Sequence, residues 1–182
     1  DHVRNPVARV VLHVEHPRGE VLEGVNHLLG HGTHQDAEVG MKWFLKAAEY
    51  DNTTAMVNIG VCYVQGQGVE ANPGEAVKWF QKAAARGNVQ SMQKLAMIYE
   101  LGSGVARDME QAARWYRRAA EAGDALSMAG LGACYVGGNG VERDPEEGVR
   151  WYRQAVERGN PQAMTNLAGC YNSGVGVAQD LH

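Results

Sequence analysis

Residues 108–123 read Asp-Met-Glu-Gln-Ala-Ala-Arg-Trp-Tyr-Arg-Arg-Ala-Ala-Glu-Ala-Gly. The same pattern returns 36 residues earlier, at 72–87, and 36 residues later, at 144–159, and a shorter version lies at 41–51. As a result, the four tryptophans of the chain fall on one 36-residue period: Trp43, Trp79, Trp115 and Trp151. A fixed period of about 20 to 50 residues is typical of proteins built from stacked repeats, so the sequence predicts a repeat architecture.

The quoted stretch predicts an α-helix, here called helix A. Asn72, Asp108 and Asp144 are N-cap residues, whose side-chain oxygen accepts a hydrogen bond from a free amide of the first turn. In the helix that follows, apolar residues recur at i, i+3, i+4, i+7 and i+8, which places them on one face. In the 72–107 repeat these residues are Ala76, Trp79, Phe80, Ala83 and Ala84. We therefore predict that the tryptophans belong to the structural core.

A second helix, helix B, is predicted after a glycine that ends helix A at 87, 123 or 159. Asp51 holds that place in the first regular repeat, where it tolerates the left-handed backbone less well. Helix B carries a tyrosine at the same position of every regular repeat, and these are also predicted as core: Tyr63, Tyr99, Tyr135 and Tyr171. A Gly-x-Gly-Val segment then links the repeats. It lacks the Gly-Lys-Ser/Thr ending of a phosphate-binding loop, so we interpret it as a structural turn.

The period divides the chain into four regular repeats and two flanking segments. The regular repeats are 36–71, 72–107, 108–143 and 144–179, and residues 180–182 would start a fifth helix pair. Residues 1–35 are predicted to form a degenerate N-terminal repeat or arm. Its second helix is expected near 18–29 and its first near 4–14, although residues 10–14 would also suit a strand. We expect the 182 residues to be part of a longer protein.

The recurring landmarks resemble the Sel1-like repeat, a relative of the tetratricopeptide repeat. They are Trp-Tyr-x-x-Ala-Ala-x-x-Gly, followed by Leu-Gly-x-x-Tyr-x-x-Gly-x-Gly-Val-x-x-Asp, over about residues 36–180. The resemblance implies an all-α fold, a right-handed α-solenoid of 36-residue helix-turn-helix repeats, in which helices A line a concave surface. It further implies a protein–protein interaction scaffold or adaptor. A structural subunit of a large multiprotein assembly, in an organelle for example, is the alternative.

Composition argues against two classes of partner and indicates a compartment. With 17 basic and 21 acidic residues the net charge is −4, whereas a nucleic-acid-binding protein is usually basic. No apolar run approaches the roughly 20 residues of a membrane span. Cys62, Cys134 and Cys170 share one repeat position, so their backbones should lie about 8–10 Å apart, beyond the reach of a disulfide. We expect reduced thiols and a reducing compartment, the cytosol or the interior of an organelle.

Basic residues recur on helix A and are the candidate partner-binding residues. They occupy two positions one helical turn apart: Lys42, Lys46, Lys78, Lys82, Arg114, Arg118 and Arg150. On stacked helices they would form a basic stripe suited to an acidic peptide or to a carboxy-terminal segment. A basic residue there also keeps the helix soluble and suits its C-terminal half. Both interpretations remain open at this stage.

The sequence predicts no catalytic site, no metal and no cofactor. Six of the seven histidines lie in the first 34 residues, and His27, His31 and His34 are close enough together to suggest a zinc site. However, no cysteine is near them, and the neighbouring acidic residues have no distinctive spacing. No serine has a histidine at a matching repeat position. We therefore predict a non-enzymatic protein, with a metal-dependent or hydrolytic enzyme as the remote alternative.

Overall fold

The computed structural model describes residues 17–29 and 36–177. This part of the chain contains nine α-helices, each of 13 residues, and no strand. They are α1 (Pro17–Leu29), α2 (Ala37–Glu49), α3 (Thr53–Gln65), α4 (Pro73–Ala85), α5 (Val89–Leu101), α6 (Met109–Glu121), α7 (Ala125–Gly137), α8 (Pro145–Glu157) and α9 (Pro161–Ser173). The predicted all-α helical repeat fold is confirmed.

The predicted helix pairs correspond directly to these elements. Helices α2, α4, α6 and α8 are the A helices, and α3, α5, α7 and α9 are the B helices. The helix expected near 18–29 is α1, which occupies the place of a helix B in front of the first regular repeat. The helix or strand expected within residues 4–14 and the helix expected to begin at 180 lie outside the described residues.

The chain divides into two compact units, Asp1–Arg86 (unit 1) and Gly87–His182 (unit 2). Unit 1 contains α1–α4 and unit 2 contains α5–α9. Within unit 1, α1 packs on α2, α2 on α3 and α3 on α4; within unit 2, each helix from α5 to α9 packs on the next. Helices α3 and α7 therefore each contact both their own helix A and the helix A of the next repeat.

Capping side chains explain why the helices start where they do. From α2 to α9, each N-cap side chain accepts a hydrogen bond from the backbone amide three residues later. Asp108, for example, accepts from the amide of Gln111 at 3.0 Å. Every described helix B from α3 onward ends at a left-handed glycine. A positive-φ glycine also follows the A helices α4, α6 and α8. After α2 that place is held by Asp51 at φ 58°, the one positive-φ residue in the described chain that is not glycine.

The core is built around the residue that follows each tryptophan. Phe44, Phe80, Tyr116 and Tyr152 are almost completely buried. Three of these rings pack on a glycine of the preceding helix, at Gly24, Gly60 and Gly132: a Cβ added at Gly60 would lie 2.5 Å from Phe80 Cε1, and one at Gly132 would lie 2.7 Å from Tyr152 Cδ1. The Tyr116 ring lies instead against Gly130 of the following helix, α7. Helix B and the next helix A therefore approach closely at this point.

The tryptophans and the helix-B tyrosines lie at the margin of this core. All eight are partly buried: Trp43, Trp79, Trp115, Trp151, Tyr63, Tyr99, Tyr135 and Tyr171. In unit 2, the side chains of Trp115, Tyr135 and Trp151 pack against the buried cluster from outside. The physical reason is angular. Successive residues of a helix point about 100° apart, so the residue after each tryptophan faces the neighbouring helix and the tryptophan lies beside it.

The links at 66–69 and 138–141 pack tightly on the helix A of their own repeat. The second glycine of each link shows this. A Cβ added at Gly68 would lie 2.1 Å from the Ala37 carbonyl oxygen, and one added at Gly140 would lie 1.9 Å from the Met109 carbonyl oxygen. These glycines also have positive φ, at 69° and 73°. The Gly-x-Gly-Val segment is thus a turn at which backbone meets backbone, which any larger residue would prevent.

Two further features concern the cysteines and the hydropathy of the helices. Cys62, Cys134 and Cys170 are buried free thiols. Burial raises the pKa of the Cys62 thiol, and it raises the pKa of Cys134 to about 11. Such thiols stay protonated at neutral pH and are poor nucleophiles. No helix among the described residues has the length and hydrophobicity needed to cross a membrane.

Candidate partner-binding surface

The seven basic residues predicted for partner binding are all exposed side chains of the A helices. We call the exposed side of each helix A the helix-A face. It carries a first basic position, occupied by Lys42, Lys78, Arg114 and Arg150, and a second one turn later, occupied by Lys46, Lys82 and Arg118. The two positions lie side by side on the same helix. They differ in what they contact.

Three of the four residues at the first basic position pair with glutamates of their own helix. Lys78 pairs with Glu75, Arg114 with Glu110 and Arg150 with Glu147. The hydrogen bond to Glu147 raises the pKa of the Arg150 guanidinium. Exposed pairs three or four residues apart stabilise a helix only slightly, because water and salt screen them. Their main effect on the surface is to neutralise much of the charge at this position.

Residues at the second basic position lie over the tryptophan one turn before them. Lys82 Nζ lies 4.0 Å from the centroid of the Trp79 ring, and the Arg118 guanidinium lies 4.6 Å from that of Trp115. A cation above an aromatic face is attracted by its quadrupole and keeps its charge. The apolar stem of a lysine or arginine can cover part of such a ring, which helps to explain why a half-buried tryptophan is tolerated at the surface.

Lys46 differs from the other two because a carboxylate neutralises it. Its Nζ lies 5.2 Å from the Trp43 ring centroid and 3.0 Å from Glu20 Oε1 on α1. Glu20 is only 5% exposed and stands at the position that is Met56, Met92 and Met128 in later repeats. Lys46 is thus the counter-ion of a buried acid, and removing it would leave that acid uncompensated.

A third position on the helix-A face escaped the sequence analysis. Arg117 Nη2 donates a hydrogen bond to the Tyr135 hydroxyl at 2.6 Å, and Arg153 Nη2 donates one to the Tyr171 hydroxyl at 2.9 Å. The guanidinium carbons lie 5.8 and 5.9 Å from the respective ring centroids. The tyrosines predicted as core therefore also hold arginines on the surface. The matching 18-residue separation of the two pairs was the available signal.

An open cleft of about 690 Å³ lies beside one of these pairs. Arg117, Tyr135 and Arg143 line it together with three acidic residues, Glu142, Asp144 and Glu146. Asp144 is the N-cap of α8, and Arg143 donates from Nε to the Val136 carbonyl at 3.1 Å. The cleft is therefore of mixed charge.

A buried polar contact inside unit 2 is structural in character. The Tyr116 hydroxyl donates to Glu100 Oε2 at 2.5 Å, and Tyr116 is only 4% exposed. Burial, followed by this contact, raises the pKa of the Tyr116 phenol, and burial followed by the charge of Glu100 raises that of Cys134. Both groups stay protonated at neutral pH. They therefore supply neither a base nor a thiolate nucleophile.

The structure bears on only part of the histidine hypothesis. Within residues 17–29 and 36–177, no three histidine, cysteine or acidic side chains are grouped so as to hold a metal ion. His27 is partly buried on α1, and its carbonyl accepts from the Asp36 amide at 2.9 Å. His31 and His34 lie outside the described residues, so their part of the proposed cluster is untested.

The repeat pattern of the chain matches the family described as Sel1 repeat, at residues 24–50, 53–88, 89–124, 125–160 and 161–182. The matched segments follow the same 36-residue period, but most begin at helix B where our repeats begin at helix A. Proteins built from this repeat generally act as protein-interaction scaffolds. Comparison with curated proteins gives no significant match.

Solved structures of similar proteins share the fold. A Sel1 repeat protein from Oxalobacter formigenes is 37% identical with a TM-score of 0.85, over 90% of this chain and 68% of that one. A protective antigen of uropathogenic Escherichia coli, described as displaying an SLR fold, is also 37% identical with a TM-score of 0.84. The match covers 90% of this chain but only 35% of the antigen. Cysteine rich protein B of Helicobacter pylori, at 21% identity and TM-score 0.57 over 73% of this chain and 96% of that one, resembles it in fold alone.

Proposed function

Because the chain belongs to the Sel1 repeat family, we propose that it is a non-catalytic interaction scaffold whose helix-A faces bind a partner protein. The partner would be a peptide segment or a neighbouring subunit. The observation that carries the proposal is the composition of those faces: exposed cations at two recurring positions, beside half-buried tryptophan rings. Aromatic rings and arginines are the side chains most enriched at the energetic centres of protein interfaces.

The buried groups of unit 2 support a non-catalytic role. The thiol of Cys134 and the phenol of Tyr116 are held protonated, and their contacts are explained by packing between α5, α6 and α7. Acid–base catalysis would require a group that has a pKa near neutrality and that the substrate can reach. The exposed helix-A residues instead offer charge and flat apolar rings, which suit binding.

The test is affinity capture of partners from the protein's own source, followed by mass spectrometry. The native chain is compared with a variant carrying Lys78→Glu, Lys82→Glu, Arg114→Glu and Arg118→Glu. An adaptor loses a specific partner in the variant. A structural subunit of a large assembly retains several proteins in fixed ratio with both chains, because its contacts are spread over other surfaces. Capture of no partner by either chain would contradict the proposal.

A further inference from the structure

We propose that the partner segment is acidic and that unit 2 recognises it through the guanidinium groups of Arg117, Arg118 and Arg153. The inference rests on the proposed function and names the chemistry of the partner. It predicts a peptide whose aspartate or glutamate side chains are separated by neutral residues. Three observations support it. These arginines have no carboxylate partner among the described residues, aromatic rings hold them in place, and unit 1 lacks the same arrangement.

The arginines on the helix-A faces of unit 2 divide into two groups by their neighbours. Arg114 and Arg150 are paired with glutamates of their own helices. Arg117, Arg118 and Arg153 are exposed, and among the described residues none of them has a carboxylate within 4.0 Å. Each contacts an aromatic ring instead, and a ring leaves the positive charge in place. These three side chains therefore remain available to a carboxylate.

Aromatic support also reduces the entropy that binding would cost. An isolated surface arginine loses rotamer freedom when it binds a ligand, and this loss of entropy weakens binding. The hydrogen bond from Arg117 to the Tyr135 hydroxyl, and that from Arg153 to Tyr171, already restrict the guanidinium. Each bond uses one of the five N–H donors of the arginine. The remaining donors can bind a carboxylate in the two-bond geometry that guanidinium favours.

Unit 1 lacks this arrangement at the corresponding positions. Leu45 and Gln81 stand where unit 2 has Arg117 and Arg153. The cations of unit 1 on this face are all lysines, and Lys46 is already paired with the buried Glu20. Lysine is a hydrated point charge without the planar fork of arginine. Specific recognition of carboxylates is therefore expected in unit 2, and weaker general attraction at Lys78 and Lys82.

The acidic lining of the neighbouring cleft restricts the kind of anion that fits. Glu142, Asp144 and Glu146 line the same cleft as Arg117 and would repel a continuous run of negative charge. A peptide with alternating acidic and neutral residues avoids that repulsion. A nucleic acid strand, with a charge on every phosphate, does not. The occupant that fits the surface is thus a discontinuous acidic peptide.

The test uses fluorescence anisotropy of a labelled peptide of alternating glutamate and serine, bound to the full chain. Its control is the same peptide with glutamine in place of glutamate. We expect the glutamate peptide to bind at least about tenfold more tightly than the glutamine peptide, and to weaken as salt is added. Equal binding of the two peptides would overturn the inference. So would tighter binding of a single-stranded oligothymidylate than of the glutamate peptide.

Variants locate the binding to the three arginines. The Arg117→Lys/Arg153→Lys double variant keeps the charge but loses the fork, and should weaken the glutamate peptide by about tenfold. The Tyr135→Phe/Tyr171→Phe double variant keeps the rings but removes the hydroxyls, and should weaken it by about threefold. The matched control, Lys78→Gln/Lys82→Gln in unit 1, should change it by less than about twofold. A control loss as large as that of the arginine variant would contradict the assignment.

This inference can fail while the proposed function stands. A partner captured by the native chain and lost from the helix-A charge-reversal variant supports the scaffold function. If that partner binds Arg117→Lys/Arg153→Lys as tightly as the native chain, the carboxylate recognition proposed here is wrong. All the substituted side chains are at least partly exposed, and circular dichroism of each variant verifies that the helices remain folded.

Discussion

The Phe80 ring lies so close to Gly60 that a Cβ added to this glycine would stand 2.5 Å from Cε1 of the ring. Phe80 is buried on α4 and Gly60 lies in the middle of α3. The glycine therefore sets the distance between helix B of one repeat and helix A of the next. Ala96 occupies the same repeat position in α5, so the neighbouring pair accommodates one more methyl group.

Gly60→Ala should destabilise the protein despite the higher helix propensity of alanine. The methyl group must displace the Phe80 ring or the helix that carries it, and such overpacking costs about 1–3 kcal/mol. Gly74→Ala is the matched control in the same unit. The nearest atom to its Cβ is Asn72 Oδ1 at 3.4 Å, so we expect a gain of up to about 1 kcal/mol. Urea unfolding followed by circular dichroism measures both, and equal effects would contradict the packing argument.

Gly140→Ala should be more damaging than Gly123→Ala, although both glycines have positive φ. At Gly123 the added methyl group meets open space, so only the backbone strain remains, about 1 kcal/mol. At Gly140 it meets the Met109 carbonyl oxygen at 1.9 Å, and the strain adds to a backbone clash, about 3 kcal/mol together. The difference in unfolding free energy between the two variants tests whether a backbone clash at the link adds to the backbone strain.

Asp51→Gly should stabilise unit 1. Asp51 adopts the left-handed conformation that glycine provides at 87, 123 and 159, and it ion-pairs with Arg86. Relief of the backbone strain outweighs the exposed ion pair and the greater freedom of glycine in the unfolded chain, for a net gain of about 0.5 kcal/mol. Arg86→Gln is the control for the ion pair. A lower midpoint temperature of thermal unfolding for Asp51→Gly than for the native chain would contradict this account.

High pH should destabilise unit 2 through its buried phenols. Burial raises the pKa of Tyr152 from 10.0 to about 12. The folded state therefore favours the protonated phenol, and the stabilisation is complete below pH 10 and lost as the pH rises from 10 toward 12. Tyr152→Phe should show a smaller decrease in unfolding free energy over this range than the native chain. Parallel curves would show that the phenol ionises equally in both states.

The helices and their caps could be predicted because they depend on neighbours in sequence. Asp108 accepts a hydrogen bond from the Gln111 amide only three residues later, and the same kind of N-cap begins all four A helices. The burial of Trp79 was harder, since periodicity indicates a face of the helix but not which of two adjacent residues meets the next helix. In the structure that residue is Phe80, whereas the Trp79 ring lies beneath the Lys82 ammonium group.

The aromatic support of the arginines could not be inferred from single helices. Arg117 and Tyr135 are 18 residues apart, on α6 and α7, and meet only when the hairpin is packed. The corresponding positions in two other repeats are Leu45 and Gln81, so the 36-residue comparison concealed the pair. Lys78 and Arg114 are exposed in the structure. Their partners, Glu75 and Glu110, were not anticipated, although the three- and four-residue spacings contained them.

The affinity of the captured partner for the helix-A variant tests the central claim most directly. Isothermal titration would compare the native chain, the Lys78→Glu/Lys82→Glu/Arg114→Glu/Arg118→Glu variant, and a control with four glutamates at exposed helix-B positions: Gln65, Gln90, Ala133 and Gln162. If the helix-A face binds the partner, the first variant loses at least about a hundredfold in affinity and the control loses little. Equal affinity of all three chains would contradict the claim and assign the partner to another surface.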